Sequence, residues 1–312
     1  MKRKLILGSR GSELALWQSN YVKDCLSEIF PALEIEIQIF KTKGDKILDV
    51  PLATIGGKGL FTKELEEALL SKKIDLAVHS LKDLPTIMIE GLALGAITKR
   101  HTVNDVIISK NKNIDISALE SGSIIATGSL RRKSQLLSLN PELTIVDIRG
   151  NVATRIKKYE ESNWSGTLLA AAGVERLNLT EQIGVYLPME VMLPAPGQGA
   201  LAVQIRDDDA ELSDILIQLH HSETALAVTA ERGFLQGLGG GCQVPIAAFA
   251  EVKADVISFR GFVGSPDGKK VFRVSGESLV EKAELLGKEK AVEILSLGAK
   301  EIMDKLLNEG TE

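Results

Sequence analysis

Six arginines stand where a β-rich run gives way to a helical pattern: Arg10 in LILGSRGS, Arg131 and Arg132 in IIATGSLRR, Arg149 and Arg155 in IVDIRGNVATR, and Arg176 closing LLAAAGVER. The carboxyl ends of strands in open α/β sheets collect ligands, because helix N-termini there offer free N–H groups and the positive end of the helix dipole. A guanidinium at the same edge adds a planar fork that matches two carboxylate or phosphate oxygens at once. Five of the chain's 12 arginines fall between residues 131 and 176, and this spacing predicts a ligand with several negative charges. The competing reading is that each arginine pairs with a neighbouring Asp or Glu on the surface. For any single arginine both readings stay open.

Asp83 lies in IDLAVHSLKDLP, residues 74–85, where a strand pattern ends in His79, Ser80, Lys82 and Asp83 ahead of Pro85. Proline forces Leu84 into an extended conformation and so fixes a short turn around Asp83. A carboxylate placed beside arginines can move a proton or stabilise a cationic intermediate; the alternative is that Asp83 only caps the turn. His79 reads as structural. Lys58 lies in IGGKGLFTKELE, residues 55–66, which lacks the GxxxxGK[ST] spacing of a phosphate loop. Lys58 either reaches an anionic ligand from a glycine-flanked loop or sits in a solvated turn. Cys242, in LGGGCQVPI, follows three glycines that give the thiol little side-chain cover. It is a candidate nucleophile, a buried loop cysteine or a redox-sensitive site. Cys25 falls within an amphipathic helical pattern and reads as a small packing residue. No CxxC or His/Cys spacing points to a metal.

The elements that must position these residues follow from the hydrophobic pattern. Lys4–Leu7 reads as a strand, and Ser12 as the cap of a helix with Leu14, Trp17, Tyr21, Val22, Leu26 and Ile29 on its apolar face. LEIEIQIF, residues 33–40, alternates as a strand with one wet face. Further strands are expected at 74–79, 92–97, 106–108, 124–127, 144–148 and 167–171, with helices over 61–70 and from Leu130 and Val152. This alternation predicts α/β units with mainly parallel strands. VMLPAPGQGALAVQI, residues 191–205, suits a return crossing between units. A helix over 222–234, a hairpin around SPDG, and a helical pattern over 279–307 interrupted by Gly287 and Gly298 predict a C-terminal α+β unit.

Composition narrows the function. The 312 residues carry a net charge of -5, with 44% hydrophobic, 25% charged and 4% aromatic residues, which is a globular average. An acidic, ring-poor chain argues against nucleic-acid binding. The one long uncharged stretch, Gly233 to Ala250, holds five glycines, two glutamines and a proline, so it reads as a loop and not a membrane span. The apolar run before Gly8 is too short for a signal peptide. A cytoplasmic protein with reduced cysteines is expected.

Together the segments GSRGSELALWQ, TKGD, GGKGLFTKELE, DLAVHSLKDLP, ATGSLRRKSQL, DIRGNVATR, LLAAAGVERL, MLPAPGQGALAVQIR and ERGFLQGLGGGCQVPI resemble, in this order and over nearly the whole chain, the porphobilinogen deaminase (hydroxymethylbilane synthase) family. The resemblance implies a transferase of tetrapyrrole (haem and porphyrin) biosynthesis. It implies two lobes like type II periplasmic binding proteins and a small α+β domain: domain 1 at 1–99 and 197–217, domain 2 at 104–193, domain 3 at 220–312. It implies a dipyrromethane cofactor in thioether linkage to Cys242, and Asp83 as the catalytic carboxylate that assists loss of ammonia and stabilises the azafulvenium cation. Four rounds of condensation and a hydrolysis would release hydroxymethylbilane. Every pyrrole carries an acetate and a propionate, so the growing chain needs arginines against like-charge repulsion. Lys82, Ser129, Arg131 and Arg132 are implied to hold the cofactor with Asp83. Arg10, Ser12, Arg149, Arg155, Arg176, Lys58 and Phe61 are implied for the substrate. A monomer is implied, with porphobilinogen as substrate and hand-over of the product to uroporphyrinogen III synthase.

Two departures stand out. Where the family often has Arg-Glu-Asp-Pro-Arg-Asp, this chain reads Arg100, His101, Thr102, Val103, Asn104, Asp105, without the stiffening proline and one arginine. Ala227 stands where many relatives have arginine. The rival readings are a two-lobed anion-binding protein without catalysis, which would not need the Cys242 loop, and a phosphate-transferring enzyme using Lys58, which the failed phosphate-loop spacing disfavours.

Overall fold

A computed structural model of the chain describes residues 4–46, 59–239 and 244–309. In chain order the elements are β1 (Lys4–Arg10), α1 (Glu13–Ile29), β2 (Glu34–Phe40), α2 (Lys43–Lys46), α3 (Lys63–Leu70), β3 (Leu76–Ser80), β4 (Leu92–Ile97), β5 (Asp105–Ile108), β6 (Ile124–Ala126), α4 (Leu130–Leu139), β7 (Thr144–Val146), α5 (Val152–Glu160), β8 (Gly166–Ala170), α6 (Ala171–Arg176), β9 (Ile183–Tyr186), β10 (Leu201–Arg206), α7 (Ala210–Leu216), α8 (Ser222–Gly237), β11 (Ile246–Lys253), β12 (Val256–Gly264), β13 (Val271–Leu279), α9 (Ala283–Ile294) and α10 (Lys300–Glu309). They resolve into two compact units: residues 4–46, 59–101 and 199–225 in the first, residues 102–198 and the described part of 226–309 in the second.

The first unit holds a five-stranded sheet of order β2-β1-β3-β10-β4. β1 runs parallel to β2 and β3, whereas β10 returns antiparallel between β3 and β4. One face buries Leu5, Leu7, Leu76, Val78, Leu201 and Val203 under Val22 and Leu26 of α1 and Leu212 and Leu216 of α7. The other packs Leu65, Ala68 and Leu69 of α3 on Ile74, Ala77 and Leu92. Burying each such leucine stabilises by about 1.5–3 kcal/mol. β2 is an edge strand and keeps the wet face its alternation predicts.

The second unit holds two sheets. The five-stranded one, β7-β6-β8-β5-β9, repeats the plan of the first unit: three parallel strands, then an antiparallel return strand. The three-stranded antiparallel sheet β11-β12-β13 is backed by α8, α9 and α10 around Phe234, Phe259, Leu286, Ile294 and Met303. The expected architecture of two α/β sheets and a C-terminal α+β part is the one observed.

Four details differ from the sequence expectations. Gly233 to Ala250 is not one loop: α8 runs to Gly237 and β11 starts at Ile246. Gly233 belongs to the helix because a Cβ there would come within 2.8 Å of the Glu284 carbonyl, so glycine is what lets α9 approach. The C-terminal helical run starts at Ala283, since β13 extends to Leu279. Gly287 does not interrupt it, because that glycine sits within α9 where a Cβ would run into the Ala230 carbonyl. Gly298 does interrupt it, at φ 119°. α7, β9 and β11 have no counterpart among the expected elements.

Candidate functional site

In the first unit, β1 and β3 lie side by side in parallel, with Gly8 opposite Ala77, so their carboxyl ends share one sheet edge. The close approach of α3 requires Gly8, where a Cβ would stand 2.9 Å from Leu65 Cδ2 and would also meet the Ile74 side chain. β1 delivers Arg10 to that edge, and Ser12 caps α1 by accepting a hydrogen bond from the Ala15 amide at 3.3 Å. β3 delivers a single 3₁₀ turn, Leu81–Asp83, closed by the Leu84 amide donating to the Leu81 carbonyl at 3.2 Å. Leu84 is extended (φ -90°, ψ 130°), as Pro85 demands. Buried Leu81 and Leu84 pin the turn from both sides, leaving Lys82 half-buried and Asp83 exposed between them.

The Arg10 guanidinium lies over the Phe61 ring, 4.3 Å from its centroid. The Phe61 ring packs against Gly44, where a Cβ would run into it. Below this surface runs a buried polar chain. His79 Nε2 lies 3.1 Å from Gln204 Oε1, Gln204 Nε2 donates to Glu66 Oε1 at 3.4 Å, and Thr62 Oγ1 donates to Glu66 Oε2 at 3.1 Å. It joins the strand that carries the Asp83 turn to the first turn of α3, just after Phe61. His79 is therefore a packed structural histidine, as its position suggests. Lys58 lies outside the described residues.

The second unit builds a similar edge. β6, β7 and β8 are parallel neighbours in the order β7-β6-β8. Beyond β6, Ser129 caps α4, and Arg131 and Arg132 occupy its first turn. Beyond β7 come Arg149 and then Arg155, whose Nε donates to the Gly150 carbonyl at 2.8 Å. Beyond β8, Arg176 ends α6 and is buried. The turn bearing Arg149 and the turn preceding α4 touch: a Cβ on Gly128 would sit 2.9 Å from the Ile148 carbonyl oxygen. Gln135 anchors α4 by accepting from the Leu193 amide at 2.8 Å and donating to the Leu193 carbonyl at 3.0 Å.

Arg131 and Arg132 are both buried, and both reach Asp105, the first residue of β5. Arg131 Nη1 donates to Oδ2 at 2.6 Å; Arg132 Nε and Nη2 donate to Oδ1 at 3.1 and 2.7 Å. Burial would raise the pKa of Asp105, but the two guanidiniums outweigh it and hold the carboxyl well below the usual carboxylate range. The acidic-partner reading left open by the sequence thus applies to these two arginines, in a buried setting instead of a surface one. One carboxylate against two guanidiniums leaves a net positive charge at a helix N-terminus, where the dipole already disfavours cations. Sequence reasoning missed Asp105; the signal available was an acidic residue opening a short, wholly apolar strand.

Cys242 lies outside the described residues. The described flanks place Leu238 and Val244 in the core of the C-terminal part, together with Ala227. Cys25 is half-buried on α1, and burial raises its thiol pKa. Among the described residues no group of three or more His, Cys, Asp and Glu side chains is placed to hold a metal ion, and no helix is long and apolar enough to cross a membrane.

Comparison with known proteins covers nearly the whole chain. Residues 5–214 match the family model described as porphobilinogen deaminase, dipyromethane cofactor binding domain, and residues 225–296 match that described as porphobilinogen deaminase, C-terminal domain. The porphobilinogen deaminase of Carboxydothermus hydrogenoformans is 47% identical over 312 residues, covering 100% of both chains. That of Chlorobium phaeobacteroides is 49% identical over 310 residues, covering 98% of this chain and 99% of its own. Among solved structures, the methionine-binding protein MetQ is similar with a TM-score of 0.44 and 12% identity over 69% of this chain and 89% of its own.

Proposed function

The chain belongs to the porphobilinogen deaminase family, and from that premise we propose how its residues share the work of joining four porphobilinogen molecules into hydroxymethylbilane. The dipyrromethane cofactor of this family, held covalently through Cys242 in this reading, supplies a free pyrrole α-carbon for chain growth. Its carboxylates are held by Lys82, Ser129, Arg131 and Arg132. The donor set fits such a group: two buried guanidiniums share one carboxylate at the N-terminus of α4, and the surplus positive charge suits an anion.

Asp83 is the catalytic residue. Its exposed carboxylate, on a turn pinned by Leu81 and Leu84, holds a proton-accepting oxygen toward the pyrrole N–H and stabilises the cation left as ammonia departs from porphobilinogen. Arg10, Ser12, Arg149, Arg155 and Arg176, with Lys58 and Phe61, bind the acetate and propionate groups of the incoming pyrrole. Distributing these groups over several strand ends keeps each carboxylate paired as negative charge accumulates.

The observation that carries this reading is the gathering of Ser129, Arg131, Arg132, Arg149 and Arg155 beyond adjacent parallel strands, while Asp83 and Arg10 stand beyond adjacent parallel strands of the other α/β sheet. The three separate sheets and cores support a division into domain 1 (1–99 and 197–217), domain 2 (104–193) and domain 3 (220–312). The protein acts in the cytoplasm as a monomer, and passes its product to uroporphyrinogen III synthase.

Intact mass spectrometry alongside a porphobilinogen turnover assay tests the assignment. The purified chain should carry an adduct of two condensed pyrrole units, and Cys242→Ala should lack both adduct and turnover. An active chain without the adduct would overturn the cysteine assignment. A chain with neither adduct nor turnover would favour an anion-binding protein.

A further inference from the structure

Asp105 is fully buried and has a place in the fold that no catalytic role explains. It pairs with Ala170, the last residue of β8, and so lies at the sheet edge from which α4 and α6 depart. Its two oxygens accept from Arg131 Nη1, Arg132 Nε, Arg132 Nη2 and Gln198 Nε2, the last at 3.1 Å. Gln198 Nε2 also donates to the Val103 carbonyl at 2.7 Å, which fixes the carboxylate relative to its own strand. Each guanidinium has one further anchor: Arg131 Nη1 donates to the Leu193 carbonyl at 2.8 Å, and Arg132 Nη1 to the Leu168 carbonyl at 3.0 Å.

Two adjacent cations in the first turn of a helix repel each other and oppose the helix dipole. Without a buried anion they would turn outward to water, since an unpaired buried charge is strongly disfavoured. With one anion, both forks are held in a single orientation and one positive charge is left over. We propose that Asp105, oriented by Gln198, is a positioning residue that aims Arg131 and Arg132 at a carboxylate of the pyrrole cofactor and leaves them the one charge needed to bind it. This rests on the reading that these arginines hold the cofactor.

The test compares purified variants by the fraction of molecules that carry the two-pyrrole adduct, read by intact mass, and by their melting temperature. Asp105→Asn keeps the shape and removes the charge; its loaded fraction should fall at least ten-fold, and Asp105→Glu should recover most of it. Leu136→Ala, in the core face of α4, serves as a variant of comparable thermal destabilisation that loads normally. Asp105→Asn combined with Arg132→Leu should cost less than the two single losses added together, because they share the Asp105–Arg132 contact while Asp105 also holds Arg131. Where Asp105→Asn does not fold, Gln198→Leu decides, with loading expected to drop several-fold at a nearly unchanged melting temperature. Wild-type loading in the deciding variant overturns the positioning role, as does a loss that Leu136→Ala reproduces. If Arg131→Leu and Arg132→Leu themselves load normally, it is the cofactor assignment of those arginines that fails.

Discussion

His79 Nε2 sits 3.1 Å from Gln204 Oε1, with both side chains buried on the neighbouring strands β3 and β10. The amide of Gln204 is oriented by its other end, which donates to Glu66, so its oxygen faces His79 and accepts from the Nε2–H. Burial drives the His79 pKa down to about 4, the Gln204 bond opposes this and the nearby Arg10 charge adds to it. An unfolded histidine titrates near 6.5. Between these values the unfolded chain binds more protons than the native one, so stability falls as pH drops from about 6.5 to about 4. The loss is on the order of 3 kcal/mol. Melting curves should show this decline in the wild-type chain and a shallower one in His79→Gln, which keeps a donor for Gln204 without a titrating ring. Parallel curves for the two proteins would remove His79 as the source.

Asp83→Asn tests the carboxylate without disturbing its turn, because the turn is held by Leu81, Leu84 and backbone hydrogen bonds and not by the Asp83 side chain. Melting temperature and adduct should persist, while turnover of porphobilinogen falls by about 100-fold or more. Rates near wild type would dismiss Asp83 from the mechanism.

Phe61→Ala separates the ring from the charge it supports. Losing the cation–π contact with Arg10 at a partly exposed site costs about 0.5–1 kcal/mol, or roughly two- to five-fold in affinity. The KM for porphobilinogen should rise by about that factor with kcat little changed. A fall in kcat at constant KM would place Phe61 in the chemical step instead.

Much of this was legible in the sequence, for identifiable reasons. β1, β2 and α1 announce themselves through alternation and a serine cap, because local pattern and final burial agree there. The arginine-bearing turns were found because they follow strands directly. What pattern could not give was the partner across the sheet: Asp105 is 26 residues from Arg131 in sequence, and only the antiparallel pairing of β5 with β8 brings it to their end of the sheet. Glycine was ambiguous for a related reason. Gly287 and Gly298 look alike in a helical run, yet one admits the Ala230 backbone and the other turns the chain at positive φ. Gly233 likewise seemed to open a loop, whereas the neighbour that requires it, Glu284, lies far along the chain.

The contact between Gly128 and the Ile148 carbonyl gives a way to move Arg149 without touching it. A methyl group at residue 128 would come within 2.9 Å of that backbone oxygen, so one of the two turns must shift. Gly128 has no positive φ, and the substitution therefore acts through space, not through backbone strain. Arg149 directly follows the displaced carbonyl, so a shift of that turn moves it first, while the buried Ile148 side chain keeps the displacement small. Arg149→Leu should abolish detectable binding or stop elongation early, with enzyme–substrate complexes resolved by intact mass after a short exposure to porphobilinogen. Gly128→Ala should show a milder form of the same defect: a several-fold higher KM, early complexes accumulating in the mass spectrum, and the two-pyrrole adduct still in place. A Gly128→Ala protein with normal KM and normal complex distribution would mean that the Arg149 turn tolerates displacement, and that its geometry does not limit binding.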